Sequence, residues 1–400
     1  MRAIAALGTI TLMLLLLSAC AAMPPTPLPT KEAGLTAVGF ADLPGWDSDP
    51  LAEALPALLK TCERFAKRPD GRAVGPKALG GTVADWKVPC AAAAALPAGD
   101  DAAARAFFET QFVPFAAASA DGPEGLITGY YEPDIEAARA PDAAHTAPIY
   151  RRPADLVTID LGEFRADLDG ESLAGRVVDS RLRPYFNRAE IEAGALKGQG
   201  LELYWLPDTV ESFFLQIQGS GRLRLADGAI VRVGYEAKNG QGYYAIGKAL
   251  VEQGDLPKDG VSAQAIADWL RAHPDRAAET MNLNRSYVFF RELTGDGPIG
   301  SLGVVLTPLR SAAVDPAFLP LGAPLWLDTT WPAGTEAAGQ KLRRLVVAQD
   351  TGGAIKGAIR ADLFWGTGEA ALAGAGTMKQ PGRYYLLLPK SVAVRRAATS

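Results

Sequence analysis

The sequence predicts an α+β protein, mainly β with helices, whose last part is a β-barrel. Three observations carry that expectation. The chain opens, after a Pro-rich stretch, on three helical patterns. Around Leu126 it changes to short strands separated by turn residues. Its last hundred or so residues hold several short strands broken by Gly and Pro, which favours an all-β barrel over a doubly wound sheet. With 400 residues, two domains are expected, and 48% hydrophobic and 21% charged residues are ordinary for a globular chain. A net charge of −5 gives no basic footprint, so nucleic acid is not expected as a partner.

At the N-terminus Arg2 precedes an apolar run, Ile10 to Leu17, that ends in Leu17-Ser18-Ala19-Cys20. A positive start, a short apolar run and small residues before the break describe a signal peptide over residues 1–19, too short for an ordinary membrane-spanning helix. The Cys after Leu-Ser-Ala resembles a bacterial lipobox, which makes Cys20 the expected lipidated first residue. Ala21 rather than Asp at the next position points to the outer membrane, with the protein facing the periplasm of a Gram-negative cell. Residues 20–35 are Pro-rich and read as a tether.

Asp49-Pro50 is expected to open the first helix, with Asp49 as N-cap and Pro50 at the first helical position. Leu51, Leu55, Leu58, Leu59, Cys62 and Phe65 fall on one stripe and should face inward. Further helices are expected over Val83 to Ala95 and Asp100 to Phe112, the latter anchored by Phe107, Phe108 and Phe112. Cys62 and Cys90 form an even pair in an exported chain. They are expected to form a disulfide, two buried thiols being the alternative.

Strand-like runs follow at Ala147–Tyr150, Arg176–Val178, Leu201–Trp205, Phe213–Ile217, Leu223–Leu225 and Ile230–Val233. Tyr243–Gln253, Ala263–Ala272 and Asp275–Met281 read as helices. Strands resume at Tyr287–Phe290, Val304–Leu306, Pro324–Leu327, Leu345–Ala348, Ile359–Phe364 and Arg383–Leu388.

The stretch from Leu345 to Trp365 places two carboxylates, Asp350 and Asp362, on either side of a Gly-rich turn. Period two puts Asp362 on one strand face with Arg360 and Phe364. Gly352 and Gly353 lack a Cβ, which permits unusual backbone angles and close approach of a bulky ligand. The plain alternative is a hairpin in which Asp350 organises the turn and Asp362 is a solvated face residue.

Elimination narrows the chemistry. His145 and His273 are the only histidines, there is no Gly-x-Ser-x-Gly elbow, and no zinc, calcium or nucleotide motif is present. Carboxylates remain as acids and bases, and no cofactor or metal is expected.

Asp315, Asp350 and Asp362 together resemble the three-aspartate domain at the C-terminus of the membrane-bound lytic murein transglycosylase A family. The upstream blocks agree: Thr128-Gly129-Tyr130-Tyr131-Glu132-Pro133, Asn187 to Leu196, Phe214 to Gly221 and Lys238-Asn239-Gly240. The resemblance implies a double-psi β-barrel domain, discontinuous over residues 36–127 and 293–400, with a smaller β-rich domain, 128–292, inserted into it. It also implies a peptidoglycan lyase that cuts the β-1,4 bond between N-acetylmuramic acid and N-acetylglucosamine and leaves a 1,6-anhydro ring. The expected partners are peptidoglycan glycan strands, the outer membrane through the lipid anchor, and other murein synthases or hydrolases.

Carried over residue by residue, the resemblance makes Asp362 the catalytic acid, with a raised pKa. Asp350 either contacts substrate or shapes the turn; Asp315 precedes Pro316, and because Asp-Pro is a turn signal a structural role is expected for it ahead of a functional one. Gly352, Gly353, Thr128, Gly129 and Tyr130 are expected at the groove; Tyr131 belongs either there or to the core. Gln216, Gln218 and Ser220 are expected to line it from a strand, the alternative being a solvated edge. Asn239 is either a groove residue or part of a turn with Gly240. The rival functions are a hydrolase that uses Asp362 and Asp350 as a pair, and a non-catalytic murein-binding lipoprotein. The stretch Val157 to Arg183 and the Cys62/Cys90 pair depart from the family pattern.

Overall fold

The computed structural model describes residues 34–165, 168, 172–258 and 261–398. The expected signal peptide, the lipidated Cys20 and nearly all of the tether lie outside these residues. Among the described residues no helix is long and apolar enough to cross a membrane.

After a short strand β1 (Gly34–Ala37) come three helices, α1 (Leu55–Ala66), α2 (Val83–Ala94) and α3 (Asp101–Gln111). Leu55, Leu58 and Phe65 of α1 are buried as the stripe requires. The expected cap at Asp49 is not used, because α1 starts later, after a 3-10 turn over Leu51–Ala54. The Asp49 carboxylate goes instead to a buried cation: it accepts from Arg310 at 2.7 and 2.9 Å and from the Leu345 backbone N–H at 2.9 Å. Pairing a guanidinium in the core outweighs a helix cap worth about 1 kcal/mol. Cys62 of α1 and Cys90 of α2 form a disulfide, with Cα atoms 5.5 Å apart. Closing a loop with a separation of 28 residues stabilises the fold by about 3 to 4 kcal/mol in the chain-entropy account.

The strands β2 (Phe112–Ala118) and β3 (Gly125–Glu132) follow. The chain then enters the insert: β4 (Asp134–Ala137), β5 (Ala147–Tyr150), β6 (Val157–Asp160), β7 (Ser172–Val178) and β8 (Arg181–Pro184), then the single turn α4 (Arg188–Glu190). Beyond it lie β9 (Glu202–Leu206), α5 (Thr209–Gln218), β10 (Ser220–Leu225), β11 (Ile230–Lys238), α6 (Ile246–Glu252), α7 (Ala263–Ala272), α8 (Pro274–Asn282) and β12 (Val288–Leu293). The last part holds β13 (Ser311–Val314), β14 (Pro324–Thr330), β15 (Lys341–Asp350), β16 (Arg360–Thr367), α9 (Glu369–Thr377), β17 (Lys379–Pro389) and α10 (Lys390–Ala397).

The large sheet runs β1-β2-β17-β14-β15-β13-β16-β3, and β17 also pairs with β3. That extra pairing closes six strands into a barrel and leaves β1 and β2 as a flap on β17. Leu345 to Ala348 of β15 are all buried, as expected of a strand covered on both faces. The insert has its own four-stranded sheet, β12-β11-β10-β4, around Ile135, Leu223, Val233 and Phe290. The β-rich reading of both halves therefore holds, with three local differences. Phe213–Ile217 is helical, within α5. Val304–Leu306 forms only an isolated bridge, Ile299 to Val305. Thr128 to Glu132, expected at the head of the insert, belong to β3 and hence to the barrel sheet.

Candidate active site

Asp350 closes β15 and Asp362 is the third residue of β16, but the two strands do not form a hairpin. The strand β13 lies between them, and its Ala313 pairs with Asp350 on one side and Asp362 on the other. The two aspartates are thus about 9 to 10 Å apart, two strand spacings, on the same face of the barrel. A bulge between Ala312 and Ala313 marks this point of the β13–β15 ladder.

On its other side β16 pairs in parallel with β3, which sets Asp362 opposite Thr128 and Phe364 opposite Tyr130. Thr128 and Tyr130 share a face, two residues apart, and each serves one aspartate. The Thr128 hydroxyl donates to Asp362 Oδ1 at 2.5 Å, and the Tyr130 phenol donates to Asp350 Oδ2 at 2.9 Å. The Tyr130 and Phe364 rings pack with centroids 5.3 Å apart. Gly129, between the two donors, points to the other face. A Cβ there would come within 2.5 Å of Trp365 Nε1 and 2.9 Å of Ala375 Cα, so its missing side chain lets α9 pack against the strand.

These surroundings separate the two acids. Burial pushes the Asp362 carboxyl up to about 6; the Thr128 hydrogen bond and the Arg360 guanidinium oppose the rise, and the charge of Asp350 adds to it. Burial also raises Asp350, against hydrogen bonds from Ser301 N, Thr351 N and Tyr130. Both Asp350 oxygens are occupied by these donors, two of them on Oδ1 at 2.9 Å. Asp362 has one side-chain donor, on Oδ1, and the two aspartates are alike in being only partly exposed.

The loop between the acids is held by the third aspartate. Asp315, 3% exposed, accepts from Gly357 N at 2.8 Å and lies 3.6 Å from Lys356 Nζ. The unusual backbone angle expected at Gly352 or Gly353 falls instead at Gly357, with φ +116°. Gly352 matters through space, since a Cβ would lie 2.7 Å from Ile355, and Gly353 faces the insert's Tyr243 at 3.5 Å.

A cavity of about 1000 Å³ opens beside Thr128, between β3 and α9 of the barrel and α5 to α7 of the insert. Thr128, Gly129, Tyr131 and Gln218 line it, and Gln218 also accepts from Tyr131 N at 3.1 Å. Three expected groove residues are elsewhere. Gln216 is buried in α5, because helical rather than strand geometry turns it away from Gln218; its carbonyl accepts from Arg188 and Val288 N. Ser220 is buried at the head of β10. Asn239 is fully buried and its amide is used internally: it donates to Phe186 O and Arg285 O and accepts from Tyr287 N and Gln241 N. That set leaves it nothing to offer a ligand. The sequence reading missed Tyr243, which lines the cavity. Burial raises its phenol pKa, the negative charge of Asp362 adds to the rise, and Arg360 opposes it. Its signal was the Gly-flanked Tyr pair after Lys238-Asn239-Gly240, hidden by assigning that pair to a helix that begins only at Ile246.

Fold and site define a three-aspartate barrel with an inserted domain, in which one carboxyl is held near neutrality beside an open groove. The sequence matches agree: residues 126–291 match the family described as MltA specific insert domain, and residues 310–388 match the 3D domain. The chain belongs to the membrane-bound lytic murein transglycosylase A family. It is 36% identical to the membrane-bound lytic murein transglycosylase of Agrobacterium tumefaciens, over 90% of this chain and 99% of that one, with a TM-score of 0.80. The Escherichia coli MltA structure with bound chitohexaose is 26% identical, over 90% of this chain and 96% of that one, with a TM-score of 0.66. The membrane-bound lytic murein transglycosylase A of Vibrio cholerae is 34% identical over 266 residues, 66% of this chain. The matched region spans about 65% of the length of the curated relatives.

Proposed function

We propose that this protein is a lytic transglycosylase that cuts the β-1,4 bond between N-acetylmuramic acid and N-acetylglucosamine in peptidoglycan and leaves a 1,6-anhydromuramic acid end. The observation that carries this reading is the contrast between the two acids: Asp362 is raised to about 6 and has a single side-chain donor, on Oδ1, while Asp350 has both oxygens bonded to protein donors. In the first step protonated Asp362 gives its proton to the glycosidic oxygen, and the N-acetylglucosamine leaves as an alcohol. In the second its carboxylate takes the proton of the muramic acid C6 hydroxyl as that oxygen attacks C1. Because the nucleophile is already part of the substrate, no second carboxylate has to activate water. The chitohexaose bound to the E. coli relative supports a sugar polymer as ligand of this groove.

Two carboxyls on one face of the sheet, two strands apart, would also suit a hydrolase that places water between them. Against it stands the bonding of Asp350, whose two oxygens already accept three protein donors. On the same reading Cys20 carries the lipid, and the protein works from the outer membrane on the periplasmic murein. The test is digestion of purified murein sacculi by the wild type and by Asp362→Asn, followed by mass spectrometry. Products lighter by one water than hydrolysed disaccharide peptides, absent with the variant, support the proposal; hydrated products refute it in favour of the hydrolase. Intact sacculi bound by the folded protein refute it in favour of a murein-binding module.

A further inference from the structure

The cavity beside Thr128 is walled mainly by apolar side chains. Phe214 and Ile217 of α5, Val251 of α6 and Ile266 of α7 form its walls, and side chains of this kind offer sugar hydroxyls no hydrogen bonds. Its rim is cationic: Lys248 of α6 and Lys258 beyond it stand on the insert side, and Lys379 at the start of β17 on the barrel side. Among the described lining residues the one carboxylate, Glu252, lies 3.7 Å from Lys248. Among the described residues Lys258 and Lys379 have no ion-pair partner. A chain with net charge −5 thus sets positive charge on both lips of a mainly apolar pocket.

We propose that this arm binds the acidic stem peptide that muramic acid carries in murein, so that the protein prefers peptide-bearing to denuded glycan strands. The inference rests on the reading of murein as substrate. Methyl groups of alanine residues suit the walls, and the peptide carboxylates suit the lysines. A peptide hung from the lactyl group of the reacting muramic acid leaves the glycan beside the scissile bond. The arm opens at that place, because Thr128 both lines it and donates to Asp362. A denuded muramic acid keeps its lactyl carboxylate, so the two substrates differ in the further carboxylates and the apolar methyl groups that the peptide adds, and it is these that the lysines and the walls would take up.

The experiment compares KM of the full-length protein in detergent, at low salt, on soluble glycan strands carrying tetrapeptides and on the same strands stripped by an amidase. The double variant Lys258→Glu, Lys379→Glu is measured beside it. The expected KM is about tenfold lower on peptide-bearing strands for the wild type, and the gap closes to about twofold or less in the variant. Equal KM values for the wild type, or an unchanged gap in the variant, overturn the proposal while leaving the transglycosylase reading intact. If the wild type cuts neither substrate, the activity reading fails and calorimetry with the free tetrapeptide decides this one. Binding weakened about tenfold by the double variant supports the peptide arm, and binding that is absent or unaltered overturns it.

Discussion

Thr128 Oγ1 stands 2.5 Å from Asp362 Oδ1, across the parallel pairing of β3 with β16. A hydroxyl donating to a carboxylate favours the ionised form, so this bond holds the Asp362 pKa below the value that burial alone would give. Removing it with Thr128→Val should move the alkaline limb of the pH profile upward. Activity of the wild type is expected to fall above about pH 6, as Asp362 loses the proton it must deliver. For the variant the fall should come one to two units later, roughly what a hydrogen bond to a charged group is worth. Muropeptide release across the pH range checks this, and a limb that stays in place would count against Asp362 as the acid.

The same raised pKa bears on stability. The folded-state value of about 6 lies above the ordinary 3.8, so protonated Asp362 contributes stability that is fully present below 3.8 and lost as the pH rises through 6. Asp362→Asn should therefore leave stability almost unchanged well below 3.8 and raise it by up to about 3 kcal/mol at about pH 8. Thermal or urea unfolding at the two pH values reads the difference.

Asn239→Ala separates a structural role from a binding role. Loss of the amide strands Phe186 O, Arg285 O, Tyr287 N and Gln241 N in or near the core. The expected cost is about 3 kcal/mol or more in unfolding free energy, with KM on glycan strands unchanged for the folded fraction. A raised KM at wild-type stability would restore Asn239 to the groove.

Asp49→Asn leaves Arg310, 2% exposed, without its buried counter-charge. Glu53 still reaches Arg310 at 2.9 Å, so the loss should fall near the lower end of about 3 to 5 kcal/mol. In a cycle with Arg310→Met the two losses should be strongly non-additive, because the methionine removes the stranded charge. Urea midpoints of the four proteins test it.

Much of the fold was legible wherever side chains impose a period. The stripe of α1, the all-apolar run of β15 and the alternation around Asp362 each belong to an element with one or two well-covered faces. Two elements were not legible. In α5, Leu215 and Ile217 alternate with Gln216 and Gln218 and mimic a strand. The decisive signal lay upstream, where Asp208 caps the helix by accepting from Glu211 N. The strand β13 is Ser-Ala-Ala-Val, every residue buried, and small side chains buried on both faces leave no alternation to see. Missing β13 also hid why the acids do not share a hairpin. For the site, Asp362 and its environment could be read from one local stretch. The spacing between the acids, the withdrawal of Gln216 and Asn239, and the arrival of Tyr243 depend on pairings between segments distant in sequence.

The strand β3 runs without a break from Thr128, which sets the acidity of Asp362, to Glu132, where the chain crosses at Pro133 into the insert. The jaw that faces the glycan is thus hung from the same five-residue length of backbone that adjusts the proton donor. Lengthening or trimming the insert elsewhere, as at residues 157–183, leaves this suspension alone. A change at Glu132 or Pro133 does not, and grip and acidity can be expected to drift together there.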